Sequence, residues 1–236
     1  GFEPKTGLRL IEALGGASAV FKEPEEVLRE LGACSRVKYA AQIAVSAFES
    51  AAMELERLGR DGCRFIGIGE SGYPPLLMEC EDPPLGLYYK GESAPEEVFG
   101  GLPQVAVVGT RSVTGYGRDW CQRIVEAMSR STIKPLVVSG LALGVDVTAH
   151  RTALEAGIPT VAVMATGIDE LYPSRNRDVG ERIAGTSGCA LVTDYPPGVE
   201  AVKLNFIRRN RIIAGICRAT ILVAVSYTHL TLPTIR

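Results

Sequence analysis

The chain has 236 residues, of which 46% are hydrophobic and 22% charged, as expected for one large folded core accompanied by a smaller domain. Its formal net charge of −2 conceals an asymmetry: residues 1–100 carry 10 Lys and Arg against 17 Asp and Glu, whereas residues 101–236 carry 15 against 10. No acidic residue follows position 200, so an anionic ligand is expected to bind the second part of the chain.

The six cysteines are scattered through the chain, and none forms a CxxC pair. This spacing argues against structural zinc and against a disulfide framework, and it favours buried thiols in a reducing compartment. No apolar run reaches the roughly 18 residues that span a bilayer. The composition therefore predicts a cytoplasmic protein that holds no metal or other cofactor and contacts no membrane.

The first region, residues 1–60, is predicted to be a small all-helical domain of the helix-hairpin-helix or SAM-like kind. One helix has an apolar face that begins at Leu8 and ends before a glycine pair, and further helices are predicted at Glu25–Leu31 and Val37–Leu58. Some such modules bind DNA through backbone amides in a turn. The acidic surroundings here favour a structural or partner-binding role instead.

Residues 61–103 follow as a linker-like stretch with six prolines and several glycines. Its apolar segments YPPLL and DPPLGLYYKG indicate an ordered linker that packs on the core of the next domain, not a free tether. We assign no regular strand or helix to this stretch from the sequence.

Strands and helices alternate from residue 104 to residue 225. Five short apolar runs are predicted as strands, at Val105–Val108, Leu136–Ser139, Thr160–Ala165, Ala190–Thr193 and Thr220–Val225. Helices are predicted between them, at Gly117–Ser129, Val145–Ala156, Arg175–Ala184 and Asn205–Gly215. Strands that are apolar throughout and alternate with helices predict an α/β fold, a Rossmann-like parallel sheet with helices on both faces.

Ligands of such sheets bind at the carboxyl ends of the strands. This rule places four segments along one edge of the predicted sheet: Gly109–Arg111, Gly140–Asp146, Gly167 and residues 194–211. A buried strand that ends in glycines, as VAVVGTRSVTGYG does, can deliver a backbone loop to a phosphate. In KLNFIRRNRIIAG, four cations surround Phe206 and Asn210, and cations beside an aromatic ring suit single-stranded nucleic acid.

Two other chemistries fit these motifs less well. The GTR turn resembles a dinucleotide fingerprint, but the acidic residue expected about 20 positions later is missing, because Glu126 comes too early and lies inside a predicted helix. Ser139, Asp146 and His150 could suggest a catalytic triad. The G-x-S-x-G elbow is absent, however, and an Asp and a His one helical turn apart more often form a local structural pair.

Five motifs occur in one order and at compact spacing: VVGTRSVTGYG, VVSGLALGVDVTAH, TVAVMATGIDELYPSRN, LVTDYPPG and NFIRRNRIIAG. Together with the upstream YPPLL and DPPLGLYYKG, they resemble the DNA-processing protein A family, DprA, also called Smf. The resemblance covers most of residues 1–225. It implies a Rossmann-like domain that binds single-stranded DNA without sequence preference and loads the RecA recombinase during DNA uptake and natural transformation. It also implies a homodimer that is not a catalyst.

The same resemblance implies roles for individual residues. Arg111, Lys203 and Arg209 are expected to hold phosphates, Phe206 to stack on a base, and Asn210 to form a hydrogen bond or hold the loop. Neighbouring backbone and polar groups complete the expected DNA-binding set: Gly109, Thr110, Gly140 and Asn205. No catalytic residue is expected.

The last residues depart from the family pattern. Residues 226–236 read SYTHLTLPTIR, which continues neither a strand nor a helix and is interpreted as non-native sequence, so His229 is excluded from any site. The family's dimer contact is expected beyond the last predicted strand. Dimerisation and recombinase loading by this chain are therefore left open.

Two alternatives are also left open. One is a Rossmann-like nucleoside-monophosphate phosphoribohydrolase, which would use the same edge of the sheet but usually carries a PGGxGTxxE loop that this chain lacks. The other is a module that binds a protein partner through its acidic helical region.

Overall fold

The computed structural model describes residues 4–20, 22, 30 and 40–224. The described N-terminal residues form α1 (Pro4–Leu14), α2 (Ala17–Val20) and α3 (Ala40–Arg60). α1 ends where Gly15 takes a φ of 77°, the left-handed conformation that commonly closes a helix. The helix predicted at 25–31 lies outside the described residues apart from Glu30, and so does the segment 226–236 that includes His229.

The described part of the chain contains one seven-stranded sheet, in the order β1-β2-β6-β5-β4-β3-β7. Parallel pairing joins β3 to β4 and to β7, β4 to β5, and β5 to β6. The predicted α/β class is confirmed, and the strand ends match to within about two residues. The strands are β1 (Cys63–Gly67), β2 (Gly86–Lys90), β3 (Gln104–Gly109), β4 (Leu136–Ser139), β5 (Thr160–Val163), β6 (Ala190–Thr193) and β7 (Ala219–Val223).

The sheet is mixed, because the proline-rich stretch adds two strands that the sequence did not predict. β1 pairs antiparallel with β2, and β2 pairs antiparallel with β6, where Tyr88 lies opposite Thr193. The first four residues of β2 are buried, and Tyr89 is completely so. The prolines of this stretch lie outside β1 and β2, as expected for a residue that cannot donate to a ladder. Two of them begin the short helices α4 (Pro75–Met78) and α5 (Pro95–Gly100).

Helices cover both faces of the sheet. On one face, Ile212 and Ile216 pack with Val138, Val163 and the apolar side chains of α4 and α5. On the other face, helical side chains pack against the alternate residues of the same strands. The remaining helices are α6 (Gly115–Ser129), α7 (Val145–Glu155), α8 (Arg177–Ala184) and α9 (Lys203–Ile216).

The described residues hold neither a membrane span nor a cluster of metal ligands. None of the described helices is both long enough and apolar enough to cross a bilayer. In the same residues, no three His, Cys, Asp or Glu side chains are grouped as a metal ion would require. The described cysteines are free, and burial raises the pKa of the Cys121 thiol to about 11.

Candidate functional site

The GTR turn connects β3 to α6 at the carboxyl end of the sheet. Its polar groups are used locally: Thr110 Oγ1 accepts a hydrogen bond from Ser112 N at 3.2 Å, and Thr114 Oγ1 caps α6 by accepting from Gly117 N at 3.2 Å. A Cβ at Gly109 would overlap the Val223 carbonyl oxygen of β7. A glycine is therefore required at the position where β3 and β7 end side by side. Arg111, on this turn, is exposed.

A second turn, between β4 and α7, lies against the first. Val145 N donates to the Thr110 carbonyl oxygen at 3.1 Å. Gly144 has a φ of 82°, and a Cβ there would overlap the Thr110 carbonyl oxygen. Because each turn fixes the other, the backbone that carries Arg111 is held in one position.

The basic motif forms α9, which begins two residues earlier than predicted, at Lys203. Lys203 is exposed in the first turn, and Asn210 is exposed further along the helix. Asn205 is 7% exposed, and its side-chain amide donates to the Glu200 carbonyl oxygen at 3.4 Å, so its side chain tethers the preceding loop. Lys203 and Phe206 therefore lie nearly one turn apart on a helix that is already formed.

Arg111 and Phe206 meet at this edge of the sheet. The Arg111 guanidinium carbon lies 4.7 Å from the centre of the Phe206 ring, within the range of a cation–π contact. Among the described residues, no carboxylate forms an ion pair with Arg111 or Lys203. The fold thus brings Arg111 and Phe206 together from distant motifs, and it leaves the charges of Arg111 and Lys203 available to an anion.

Tyr172 belongs to the same cluster, although the sequence alone gave it no predicted role. Its ring centre is 5.7 Å from that of Phe206, with the two planes inclined at 59°. A signal was present in the sequence, because the motif ELYPSRN follows β5 and so reaches the same edge. The structure adds this ring to the surface formed by Arg111 and Phe206.

Arg209 requires a correction, because its side chain is buried and not presented to a phosphate. It is 3% exposed, and its Nη1 donates to the Gly140 carbonyl oxygen at 2.6 Å and to the Val163 carbonyl oxygen. Carbonyls at strand ends lack a further ladder partner, so a buried guanidinium can satisfy them. A Cβ at Gly140 would overlap the guanidinium, so this glycine makes room for Arg209.

Asp146 is the buried carboxylate of this edge. It is 6% exposed, and its Oδ2 accepts a weak hydrogen bond from Ala142 N at 3.4 Å. Burial raises the pKa of Asp146, and the positive charge of nearby Arg209 opposes that rise. Both side chains are buried at this edge, beneath the exposed surface formed by Arg111 and Phe206.

Ser139 and His150 do not form a catalytic pair. Ser139 Oγ donates to the Val107 carbonyl oxygen at 2.6 Å, whereas His150 Nδ1 lies 2.7 Å from Thr160 Oγ1. Burial, and secondarily the charge of Arg209, lower the pKa of His150 to about 3. His150 is therefore neutral at ordinary pH and is held in the core.

Arg211 also acts within the structure. Its Nη2 donates to Asp194 Oδ2 at 2.8 Å, and its Nη1 donates to the Asp82 carbonyl oxygen. This side chain joins α9 to the loop before β2 and to the end of β6. Of the four cations in the basic motif, Lys203 and Arg208 are the exposed ones.

Comparisons with known proteins agree with this architecture. The profile of the family described as DNA recombination-mediator protein A matches residues 64–236. "Protein Smf" of Synechocystis is 38% identical over 169 residues, which are 72% of this chain and 42% of that protein. "DNA processing protein DprA" of Streptococcus pneumoniae is 37% identical over 156 residues, 66% of this chain and 52% of that protein. The chain thus spans about half the length of these curated relatives.

Two solved structures share the fold. The X-ray structure of DNA processing protein A from Streptococcus pneumoniae superposes with a TM-score of 0.78 at 28% identity, covering 97% of this chain and 75% of that one. The structure of DNA processing protein A from Helicobacter pylori gives a TM-score of 0.60 at 24% identity, covering 70% of this chain and 71% of that one. With the family profile matched over most of its length, the chain belongs to the DNA recombination-mediator protein A family.

Proposed function

We propose that this chain binds single-stranded DNA without sequence preference, at the edge where Arg111, Lys203 and Phe206 meet, and that it acts as a binding protein and not as an enzyme. The observation that carries the proposal is the contact between the Arg111 guanidinium and the Phe206 ring, 4.7 Å apart. A free cation and an aromatic ring on one surface match the two repeating parts of a single strand, its phosphates and its bases.

The Phe206 ring favours single strands over duplex DNA. In a duplex the bases are stacked on each other, so Phe206 has no base face to contact, whereas phosphates are available in both forms. Contacts to phosphates and π-faces carry no base-edge information, so they tolerate any sequence. Lys203, on the first turn of α9, adds a second exposed cation near the ring.

Membership of the family supports the same proposal. The relatives include proteins named DNA processing protein DprA, and the Helicobacter pylori protein is described as having a unique single-stranded DNA binding mode. At 24% identity that structure carries the fold alone, so the proposal for this chain rests on the geometry of its own residues.

For the activity of the protein as a whole, we further propose a cytoplasmic homodimer that loads the RecA recombinase on DNA taken up in natural transformation. The chain spans about half the length of its curated relatives, so these properties extend beyond the residues described. Light scattering tests for the dimer. RecA filament formation on strands coated with single-strand-binding protein, with and without this protein, tests the loading step.

The alternative phosphoribohydrolase would need a carboxylate free to act on a nucleotide at this edge. Asp146 is buried beside Arg209, and Asp194 is held by Arg211, so neither is available in this structure. The same preparation can decide between the proposals. Salt-sensitive binding of a fluorescent oligo-dT, measured by anisotropy, supports the DNA-binding proposal, whereas release of free adenine from AMP supports the hydrolase.

A further inference from the structure

At the carboxyl edge, the ring of Tyr172 contacts Phe206, and the proposed DNA contacts do not use it. We propose that Tyr172 stacks on a base and that it, together with Phe206, forms the base-binding surface of this site. This inference rests on the proposed function, because it names a further contact residue for the same ligand.

The Phe206 ring is covered by two neighbouring side chains. The Arg111 guanidinium occupies a face of that ring at 4.7 Å, and Tyr172 lies beside it at 5.7 Å between ring centres. Phe206 is only partly exposed as a result, whereas 45% of Tyr172 is exposed. Tyr172 therefore offers a base more accessible ring surface than Phe206 does in this structure.

The loop that carries the Tyr172 ring is held on both sides. Just before Tyr172, Thr166 Oγ1 donates to the Glu170 carbonyl oxygen at 2.7 Å, and the partly buried Leu171 packs against the core. Just after it, the buried Asn176 side chain donates to the Leu141 carbonyl oxygen at 2.9 Å. An exposed ring between two buried anchors loses little conformational entropy when a base stacks on it.

The Tyr172 loop lies close to the turn that carries Arg111. Asn176 fastens the Tyr172 loop to the turn between β4 and α7, and Gly144 of that turn lies against the GTR turn. The three loops are therefore linked, so the backbones that carry Tyr172 and Arg111 are held together where both side chains contact Phe206. In such an arrangement Arg111 can hold the phosphate of a nucleotide while the base of the same nucleotide stacks on the Tyr172 ring.

The test compares a DNA strand with bases and one without. Anisotropy titrations use labelled oligo-dT and an abasic oligomer of equal length, with wild type and with Tyr172→Ala, Tyr172→Phe and Ile133→Ala. Tyr172→Ala should weaken oligo-dT binding about 10-fold. It should leave unchanged the affinity for the abasic strand and the slope of log K against log salt concentration. Tyr172→Phe should bind like wild type. Ile133, which is 65% exposed just before β4 at the opposite edge, should be neutral.

A fluorescence experiment reports the stacking itself. Trp120 is the only tryptophan of the chain, so Tyr172→Trp in a Trp120→Phe background places one indole at the site. Oligo-dT should quench this indole, and the abasic strand should not. Absence of quenching with oligo-dT that binds normally would overturn the inference.

The outcomes separate this inference from the function on which it rests. If the wild type fails to bind oligo-dT, the proposed function is wrong. A second outcome is that the wild type binds oligo-dT and Phe206→Ala weakens that binding, while Tyr172→Ala binds oligo-dT as well as the control Ile133→Ala does. In that case only the inference about Tyr172 is wrong. Equal losses of Tyr172→Ala on oligo-dT and on the abasic strand also contradict it, because they would indicate a structural role.

Discussion

The guanidinium of Arg111 and the ring of Phe206 lie 4.7 Å apart, so a cation from the end of β3 and an aromatic side chain from the first turn of α9 share one surface. The cation is carried by a turn that glycines and a neighbouring loop hold in place. The ring is carried by a helix packed on the sheet. Neither group therefore needs a large backbone movement before it meets a ligand.

Arg111→Ala should weaken binding of oligo-dT and make the dependence of binding on salt shallower. Each phosphate contact on a single strand contributes about −0.7 to the slope of log K against log salt, so the slope should fall by about that amount. The measurement is a series of anisotropy titrations at several salt concentrations. Arg130→Ala removes an exposed arginine at the opposite end of α6 and should change neither quantity.

Phe206→Ala should weaken oligo-dT binding by about 1–3 kcal/mol with little change in the salt slope, because stacking does not release counterions. The same titrations measure both quantities. A variant that loses affinity and also shows a clearly shallower slope would show that Phe206 acts mainly by holding the Arg111 cation in place.

Arg209→Met should destabilise the fold by about 2–6 kcal/mol, because the buried carbonyl oxygens of Gly140 and Val163 each lose their donor, at about 1–3 kcal/mol for each group. Urea unfolding measures the change in free energy. The double variant Arg209→Met with Asp146→Asn should cost less than the two single changes together. If Arg209→Met keeps wild-type stability but loses oligo-dT binding, Arg209 is a phosphate contact after all.

Variants of the buried polar residues Asp146 and His150 that still fold should bind oligo-dT almost as well as wild type. Asp146→Ala and His150→Ala test this directly in the same anisotropy assay. If both abolish binding while Arg111→Ala and Phe206→Ala have no effect, the site lies on the turn between β4 and α7. The hydrolase would then become the better account.

His150 should make the protein less stable in acid. Its pKa is lowered to about 3 in the folded state and is about 6.5 when unfolded, so between these values the unfolded chain binds one more proton. Stability is complete above pH 6.5 and should fall with decreasing pH by up to about 1.4 kcal/mol per unit. Burial of Asp146 has the opposite sign, since its pKa is raised. The His150 effect is therefore measured as the difference between wild type and His150→Gln, and equal slopes in the two proteins would contradict it.

The periodicity of the sequence was sufficient to predict the parallel strands β3 to β7 and the edge at which the site lies. It was not sufficient for β1 and β2, because their apolar runs are short and the prolines around them suggest turns. Those prolines lie between the two strands and after β2, and they interrupt neither strand. Antiparallel pairing of β2 with β6 then depends on contacts distant in the sequence, which local patterns do not contain.

The basic motif shows why individual site residues are harder to predict than the site itself. From composition alone, Arg208, Arg209 and Arg211 look alike. The helical phase distinguishes them, because Asn205, Arg209, Ile212 and Ile216 fall at spacings of four and three on the buried face. Extending the helical spacing from the buried Ile216 and Ile212 toward the N-terminus of α9 would have placed Arg209 on the buried face. The contact between Arg111 and Phe206, by contrast, required the folded positions of the GTR turn and of α9.

The most direct test of the central proposal is an anisotropy titration of the wild-type chain with oligo-dT and with a duplex of equal length, at low and at moderate salt. The account predicts tighter binding of the single strand, with affinity that falls steeply as salt rises. Equal affinity for duplex and single strand, or binding that is insensitive to salt, would contradict it.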